Sequence, residues 1–274
     1  MEIYGNVAVT ALAVAMCRAH ESSRPDALFR DALAEPLVDA FGPGLKEHFS
    51  LSDTTLAELY ANIAGRTAFF DTELERHLVS ISQVVTLGAG LDTRFHRLGT
   101  IPDVHWWEVD QPELLSVKDR TLATLAPETE SVRTSVPADL RSGWQTELTC
   151  AGYDPHLPTA FIVEGVFSYL SSEQNDALVA AITELSSPRS LLLATHWGPG
   201  KQDAAYGKAL QEATDQHGVG FQSAVTDPVA WLSHYGWTAT PTTLIAQARH
   251  FGRTELEPEA PGSEIGWLIS ATKT

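Results

Sequence analysis

"VVTLGAGLDTRFHRL", residues 84–98, is the stretch that decides the fold. Val84, Val85, Thr86 and Leu87 run straight into Gly88-Ala89-Gly90, and the chain turns polar at Asp92, Thr93 and Arg94. A short apolar run bounded by glycine reads as a strand buried on both faces. Glycine after it permits a tight turn and a close approach by a ligand. In open α/β sheets ligands bind beyond the carboxyl ends of the strands, where strand order reverses.

Outward from this stretch the pattern repeats. Residues 104–110 (VHWWEVD), 132–139, 160–166 and 190–197 also read as strands, and helical patterns over 111–125, 141–151, 172–186 and 203–216 follow them. Apolar strands alternating with helices predict a doubly wound, mostly parallel α/β sheet. Residues 237–248 and 265–273 are two more strand candidates with only a loop between them, so they are expected to pair antiparallel. Upstream, the first ~80 residues read as helical. The segments are 7–20, then 31–42 ended by Gly42, Pro43 and Gly44, then 54–78 with Leu56, Leu59, Tyr60 and Ile63 at helical spacing and Asp53 or Thr54 as cap. The expected organisation is one integrated domain, with residues 1–80 a helical cap and 81–274 the α/β core.

Charge and cysteine content narrow the function. The formal charge of −17 over 274 residues would repel a polyanion, which argues against nucleic acid as a partner. Cys17 and Cys150 have no metal-ligand spacing, so no metal is expected and a reducing, cytoplasmic setting is. The longest apolar run, residues 7–17, falls short of the ~20 needed to cross a bilayer. Glu2 stands before it where a signal peptide would carry basic residues, so no membrane association is expected.

Which ligand the glycine turn holds is the next question. A dinucleotide fingerprint would read GxGxxG, but from Gly88 the chain reads GAGLDT, with Thr93 at the third glycine. That disfavours a nicotinamide-dependent oxidoreductase, and the absence of GK[ST] excludes a P-loop. Glu108 and Asp110 share one face of their strand, and Asp110 lies 20 residues after Gly90, where a carboxylate can accept from ribose hydroxyls. Asp139 and Glu164 end the next two strands. Any one of these acids also reads as a helix cap or a solvated turn. Together, above a glycine turn, they fit a nucleoside carrying positive charge, and S-adenosylmethionine is such a molecule.

At this point the chain resembles the leucine carboxyl methyltransferase family of S-adenosylmethionine-dependent O-methyltransferases, and within it the bacterial polyketide carboxyl methyltransferase-like branch. The resemblance is carried by residues 7–34, NIAGRTAFFDTEL (62–74), the 84–98 stretch, WWEVDQP (106–112), ADLR (138–141) and FIVEGVFSYLSSEQ (161–174). Ala32 departs from the family's Asp-Pro-Leu-Ala at a helix start. The resemblance implies a class I methyltransferase Rossmann-like core with an antiparallel C-terminal strand, under an N-terminal lid. It assigns Arg66 to the carboxylate of the cofactor, Gly88, Ala89 and Gly90 to its methionine part, Asp110 to the ribose, Asp139 and Leu140 to the adenine, and Glu164 to the amino-acid end.

The acceptor is read from the segments around the last parallel strand. His196 is the candidate catalytic residue, able to take a phenolic proton or to bond a substrate carboxylate, though a lone histidine at a strand end is more often structural. Tyr169, Trp197, Tyr206 and Phe221 are candidate walls of a substrate pocket, with core packing as the competing role, and residues 198–226 are the candidate substrate loop. The expected activity is methyl transfer to an oxygen of a small molecule, a carboxylate or phenol of polyketide type in secondary metabolism. A protein C-terminal carboxyl methyltransferase, and a non-methylating S-adenosylmethionine-binding protein or pericyclase, are the alternatives.

Overall fold

A computed structural model describes residues 5–41, 51–98, 103–125, 131–216, 218–257, 259–260 and 262–274; Glu2 and the Gly42, Pro43, Gly44 helix stop lie outside the described residues. Seven strands form one sheet: β1 (Gln83–Leu87), β2 (His105–Asp110), β3 (Val132–Pro137), β4 (Thr159–Val163), β5 (Leu191–Trp197), β6 (Trp237–Thr243) and β7 (Gly266–Lys273). Their order is β3-β2-β1-β4-β5-β7-β6. The pairs from β3 through β5 are parallel, while β7 runs antiparallel to both β5 and β6. Strand order therefore reverses at β1, between β2 and β4, and the glycine turn leaves β1 at that point.

Ten α-helices accompany the sheet among the described residues: α1 (Gly5–Ser23), α2 (Ala34–Phe41), α3 (Asp53–His77), α4 (Arg94–Leu98), α5 (Pro112–Leu125), α6 (Trp144–Cys150), α7 (Ser172–Glu184), α8 (Ala205–Asp215), α9 (Pro228–Ser233) and α10 (Leu244–His250). The period-two alternation of strands divides the core. Val84, Trp106, Ile162 and Leu193 face a layer containing Phe70 and Leu74 of α3, Leu210 of α8 and Ile245 of α10. Val85, Trp107, Val163 and Leu192 face the opposite layer, with Trp144 of α6, Leu178 of α7 and Leu232 of α9. Adjacent tryptophans in β2 thus anchor opposite cores, each burial contributing on the order of 2–3 kcal/mol. A third cluster joins Leu12 of α1, Leu37 of α2 and Leu114 of α5. No helix of the described residues is long and apolar enough to cross a membrane.

Two local expectations are corrected. The cap of α3 is Ser52, one residue earlier than Asp53 or Thr54, and its hydroxyl accepts from Thr55 N–H at 3.2 Å. The strand expected over 237–248 stops at Thr243, whose hydroxyl accepts from Ala246 N–H at 3.0 Å and starts α10. A helix, rather than a loop alone, therefore lies between the last two strands. The apolar residues of "LIAQA" suit either period; the N-cap decides. Pro241 is tolerated in β6 because β6 is an edge strand.

Candidate active site

The turn after β1 is built without room for side chains. Gly88 has φ +70, and a Cβ there would stand 2.5 Å from Val166 Cγ2. Gly90 has φ +49, and its Cβ would stand 3.2 Å from Ala11 Cβ, so α1 lies directly over the turn. Gly88 and Ala89 both donate their N–H to Val109 O, at 2.8 and 3.2 Å. The Asp110 carboxylate accepts from Gly90 N–H at 2.6 Å and from Gln111 N–H at 2.7 Å. Burial pushes its pKa up, against the lowering effect of those two bonds.

Glu108, on the same strand face, is already engaged. Lys118 and Arg133 donate to its Oε2 at 2.6 and 2.7 Å, and it is buried. Burial lowers the pKa of Lys118. Asp139 pairs with Arg141 at the surface, and that hydrogen bond lowers its pKa. Leu140 packs beside the glycine turn, its Cδ1 3.7 Å from a Cβ on Gly88.

Arg66 of α3 and Glu164 at the end of β4 meet directly, Arg66 Nε donating to Glu164 Oε1 at 2.6 Å. They close a continuous chain of ion pairs. Arg18 of α1 reaches Asp31 at 2.8 Å, and Asp31 meets Arg97 at 3.3 Å. Arg97 and Arg94 both reach Asp71 at 2.8 Å, and Arg94 also holds Asp92 at 2.7 Å and Glu164 at 2.6 Å. Four arginines thus balance four carboxylates, all largely buried. Burial raises the pKa of Glu164, but Arg94 and Arg66 outweigh it and hold the carboxylate below its ordinary range. Arg18 also donates to Leu91 O in the glycine turn. The chain of charges ties the N-terminal helices to the turn. Asp92 and Arg94 stand together in the sequence, but the other partners of Arg94, Asp71 of α3 and Glu164 after β4, come from two distant elements. The available signal was Arg94 and Arg97 one helical turn apart, directly after the turn.

Beside Arg66 opens a cleft of about 780 Å³, counted out to its mouth. Tyr169, Trp197, Tyr206 and Phe221 all line it, as do Arg66 and His196, so these six sequence candidates converge. Thr10, Ala13 and Val14 of α1 and Leu59, Asn62 and Ile63 of α3 form the rest of the near wall. Asn62, one turn before Arg66, was not singled out by sequence; a polar residue in the apolar stripe of a helix was its signal. Asn62 Nδ2 donates to the Tyr206 hydroxyl at 2.8 Å. A side-chain hydrogen bond joins Tyr169 to Thr10, and burial pushes the Tyr169 phenol up to about 12. The Lys201 ammonium stands 4.1 Å from the Phe221 ring centroid, and burial lowers it to about 8.

His196 borders the cleft, but its ring belongs to the other face of β5. It shares the parity of Leu192 and Ala194, while Trp197 shares that of Leu193. The imidazole stacks on Phe167 with centroids 5.8 Å apart, and its Nε2 lies 3.2 Å from Asn175 Nδ2. Among the described residues its buried Nδ1 has no hydrogen-bond partner. Burial lowers its pKa to about 4, so the ring is neutral at pH 7.

The model of the leucine carboxyl methyltransferase family matches residues 11–183. The chain belongs to the leucine carboxyl methyltransferase family. It is 36% identical over 266 residues to a Rhodococcus jostii protein assigned to the S-adenosyl-L-methionine-dependent methyltransferases, covering 92% of this chain and 90% of that one. A relative from Mycolicibacterium gilvum with the same assignment is 35% identical over 295 residues, covering 100% and 95%. Among solved structures, a DUF574-family protein from Streptomyces avermitilis shares the fold at TM-score 0.62 and 13% identity, covering 95% of this chain and 97% of that one. The magnesium protoporphyrin IX methyltransferase of Synechocystis, solved with bound S-adenosylhomocysteine, does so at TM-score 0.50 and 11% identity, covering 88% and 94%. This leucine carboxyl methyltransferase family member is an S-adenosylmethionine-dependent methyltransferase. Among the described residues no group of three or more His, Cys, Asp or Glu is arranged to hold a metal ion.

Proposed function

We propose that the protein methylates an oxygen of a small, largely apolar acid, with the acceptor's carboxylate as nucleophile. The N-terminal helices act as a lid over the cofactor and the acceptor. S-adenosylmethionine supplies an electrophilic methyl group on a sulfonium, which already has a good leaving group. Its amino-acid end carries a carboxylate and an ammonium on one carbon, and Arg66 and Glu164 present the opposite charges 2.6 Å apart. Gly88, Ala89 and Gly90 leave backbone exposed to the methionine part, Asp110 holds the ribose, and Asp139 and Leu140 border the adenine. What remains for the protein is to orient the acceptor and exclude water.

The observation that carries the carboxylate is the lack of a base among the described residues lining the cleft. Arg66 is the only Asp, Glu, Lys or Arg there; His196 is held near pKa 4, and Tyr169 near 12. A phenol would need a proton acceptor matched to neutral pH; a carboxylate is ionised at pH 7 and needs none. His196 then acts as a packing residue behind the cleft wall. A flat polyketide-type acid suits walls made by Trp197, Phe221, Leu59 and Ile63.

The test offers labelled S-adenosylmethionine with a panel of small carboxylic acids, phenols and peptides ending in a free carboxylate. Label on a small acid that is released by mild alkali identifies a methyl ester and supports the reading. Alkali-stable label on a phenol, or label on the peptides alone, replaces it with the corresponding alternative. Cofactor binding without transfer to any class leaves the non-methylating reading. Tight binding of NAD in place of S-adenosylhomocysteine would overturn the assignment of the glycine turn.

A further inference from the structure

The cleft contains a polar pair with unused capacity. Asn62 is 4% exposed, and its Oδ1 is buried with no hydrogen-bond partner among the described residues. Its Nδ2 donates to the Tyr206 hydroxyl. Tyr206 accepts that bond, and among the described residues its own O–H hydrogen bonds no acceptor. Burial holds the phenol far above its ordinary range, so it stays a neutral donor. Asn62 and Tyr206 come from α3 and α8, 144 residues apart, and both line the cleft. An unpaired acceptor thus sits beside a free donor in a pocket whose other walls are mainly apolar. Buried polar groups are nearly always paired, so these two point to a ligand.

The position along α3 supplies a ruler. Asn62 precedes Arg66 by four residues, so the two share a helix face and stand about 6 Å apart along the axis. Arg66 marks the cofactor end of the cleft. Ile63, between them on the helix, gives this stretch of the wall an apolar side chain.

We propose that Asn62 and Tyr206 recognise a hydroxyl group on the acceptor, carried by a flat apolar frame about one helical turn from the oxygen that is methylated. The hydroxyl donates to Asn62 Oδ1 and accepts from the Tyr206 O–H. A carboxylate or an ether has no proton for Asn62, and an ammonium has no lone pair for Tyr206; a hydroxyl satisfies both at one atom. The substrate class is therefore a hydroxylated aromatic carboxylic acid, in which the carboxylate reacts and the hydroxyl is read. This rests on the carboxylate reading above.

Calorimetry on protein saturated with S-adenosylhomocysteine measures this without turnover. The probes are 2-naphthoic acid and its ring-hydroxylated isomers. At least one isomer should bind about tenfold more tightly than the parent acid. That gain should vanish in Asn62→Leu and in Tyr206→Phe, while the parent acid binds all three proteins alike. Retained S-adenosylhomocysteine affinity shows that each variant is folded. A gain absent from every isomer, or one that survives both substitutions, overturns the proposal. So does alkali-stable label on the hydroxyl oxygen itself, which would make that group the acceptor. If the selectivity is present and no label is transferred, the methylation reading fails and the recognition stands.

Discussion

Arg66 Nε and Glu164 Oε1 lie 2.6 Å apart although 98 residues separate them in the chain. The contact joins the helical N-terminal region to the end of the central strand β4. It also gathers both charges needed for an amino-acid zwitterion at one point. Glu164 keeps a second cation, Arg94, at 2.6 Å, so the carboxylate stays compensated if Arg66 is changed.

That redundancy makes Arg66 testable. Arg66→Lys is expected to fold and to weaken S-adenosylhomocysteine binding by about 10–100-fold, because an ammonium cannot fork onto a carboxylate. Adenosine, which has no carboxylate, should bind the variant and the parent alike. Equal losses for both ligands in a titration would remove Arg66 from the carboxylate.

Asp110 and Glu108 share a strand face but differ in occupation. Asp110→Ala should cost about 1–3 kcal/mol of cofactor affinity, through loss of the proposed ribose contact and release of the Gly90 N–H. Glu108→Ala should instead destabilise the fold by about 3–5 kcal/mol, because it strands the buried Lys118, while Arg133 keeps Asp119 at 2.8 Å. Denaturant melts and calorimetry on both variants separate the two roles; the reverse assignment of losses would exchange them.

Gly88→Ala tests the turn. The added Cβ must occupy a positive φ and overlap Val166 Cγ2 at 2.5 Å, together worth about 2–4 kcal/mol. Combining it with Val166→Ala should recover the overlap but not the dihedral strain. A thermal melt of Gly88→Ala indistinguishable from the parent would show that the turn does not need glycine.

His196 should affect acid stability rather than catalysis. Burial lowers its pKa to about 4 from an ordinary 6.5, so between those values the unfolded chain binds more protons than the folded one. Stability from this site is therefore intact above pH 6.5 and falls as pH drops toward 4, by about 2 kcal/mol between pH 7 and 5. His196→Gln should flatten that part of the stability profile. Single-turnover methyl transfer should be nearly level between pH 6 and 9 in both proteins. A rate that climbs with pH in the parent and not in the variant would restore histidine as a base and a hydroxyl as the acceptor.

The sequence by itself determined the parallel strands, the glycine turn and the acids at the strand ends, because each is written in residues adjacent in the chain. Short continuous apolar runs bounded by turns mark strands buried on both faces, and Gly88 with φ +70 answers to its own backbone. Where two periods fit the same residues, as over 237–248, sequence reasoning failed, and the Thr243 cap chose the helix. Tertiary structure alone decided what each acid meets. Glu108 and Asp110 look equivalent in a strand, yet Lys118 and Arg133 claim the first. It also decided which side of β5 meets the cleft, which needs the position of α3 and α8 and so separates Trp197 from His196. The chain of ion pairs from Arg18 to Arg66 and the contact of Asn62 with Tyr206 join charges and dipoles from distant segments. Such pairings depend on distance and burial, and neither is fixed until the sheet has brought those segments together.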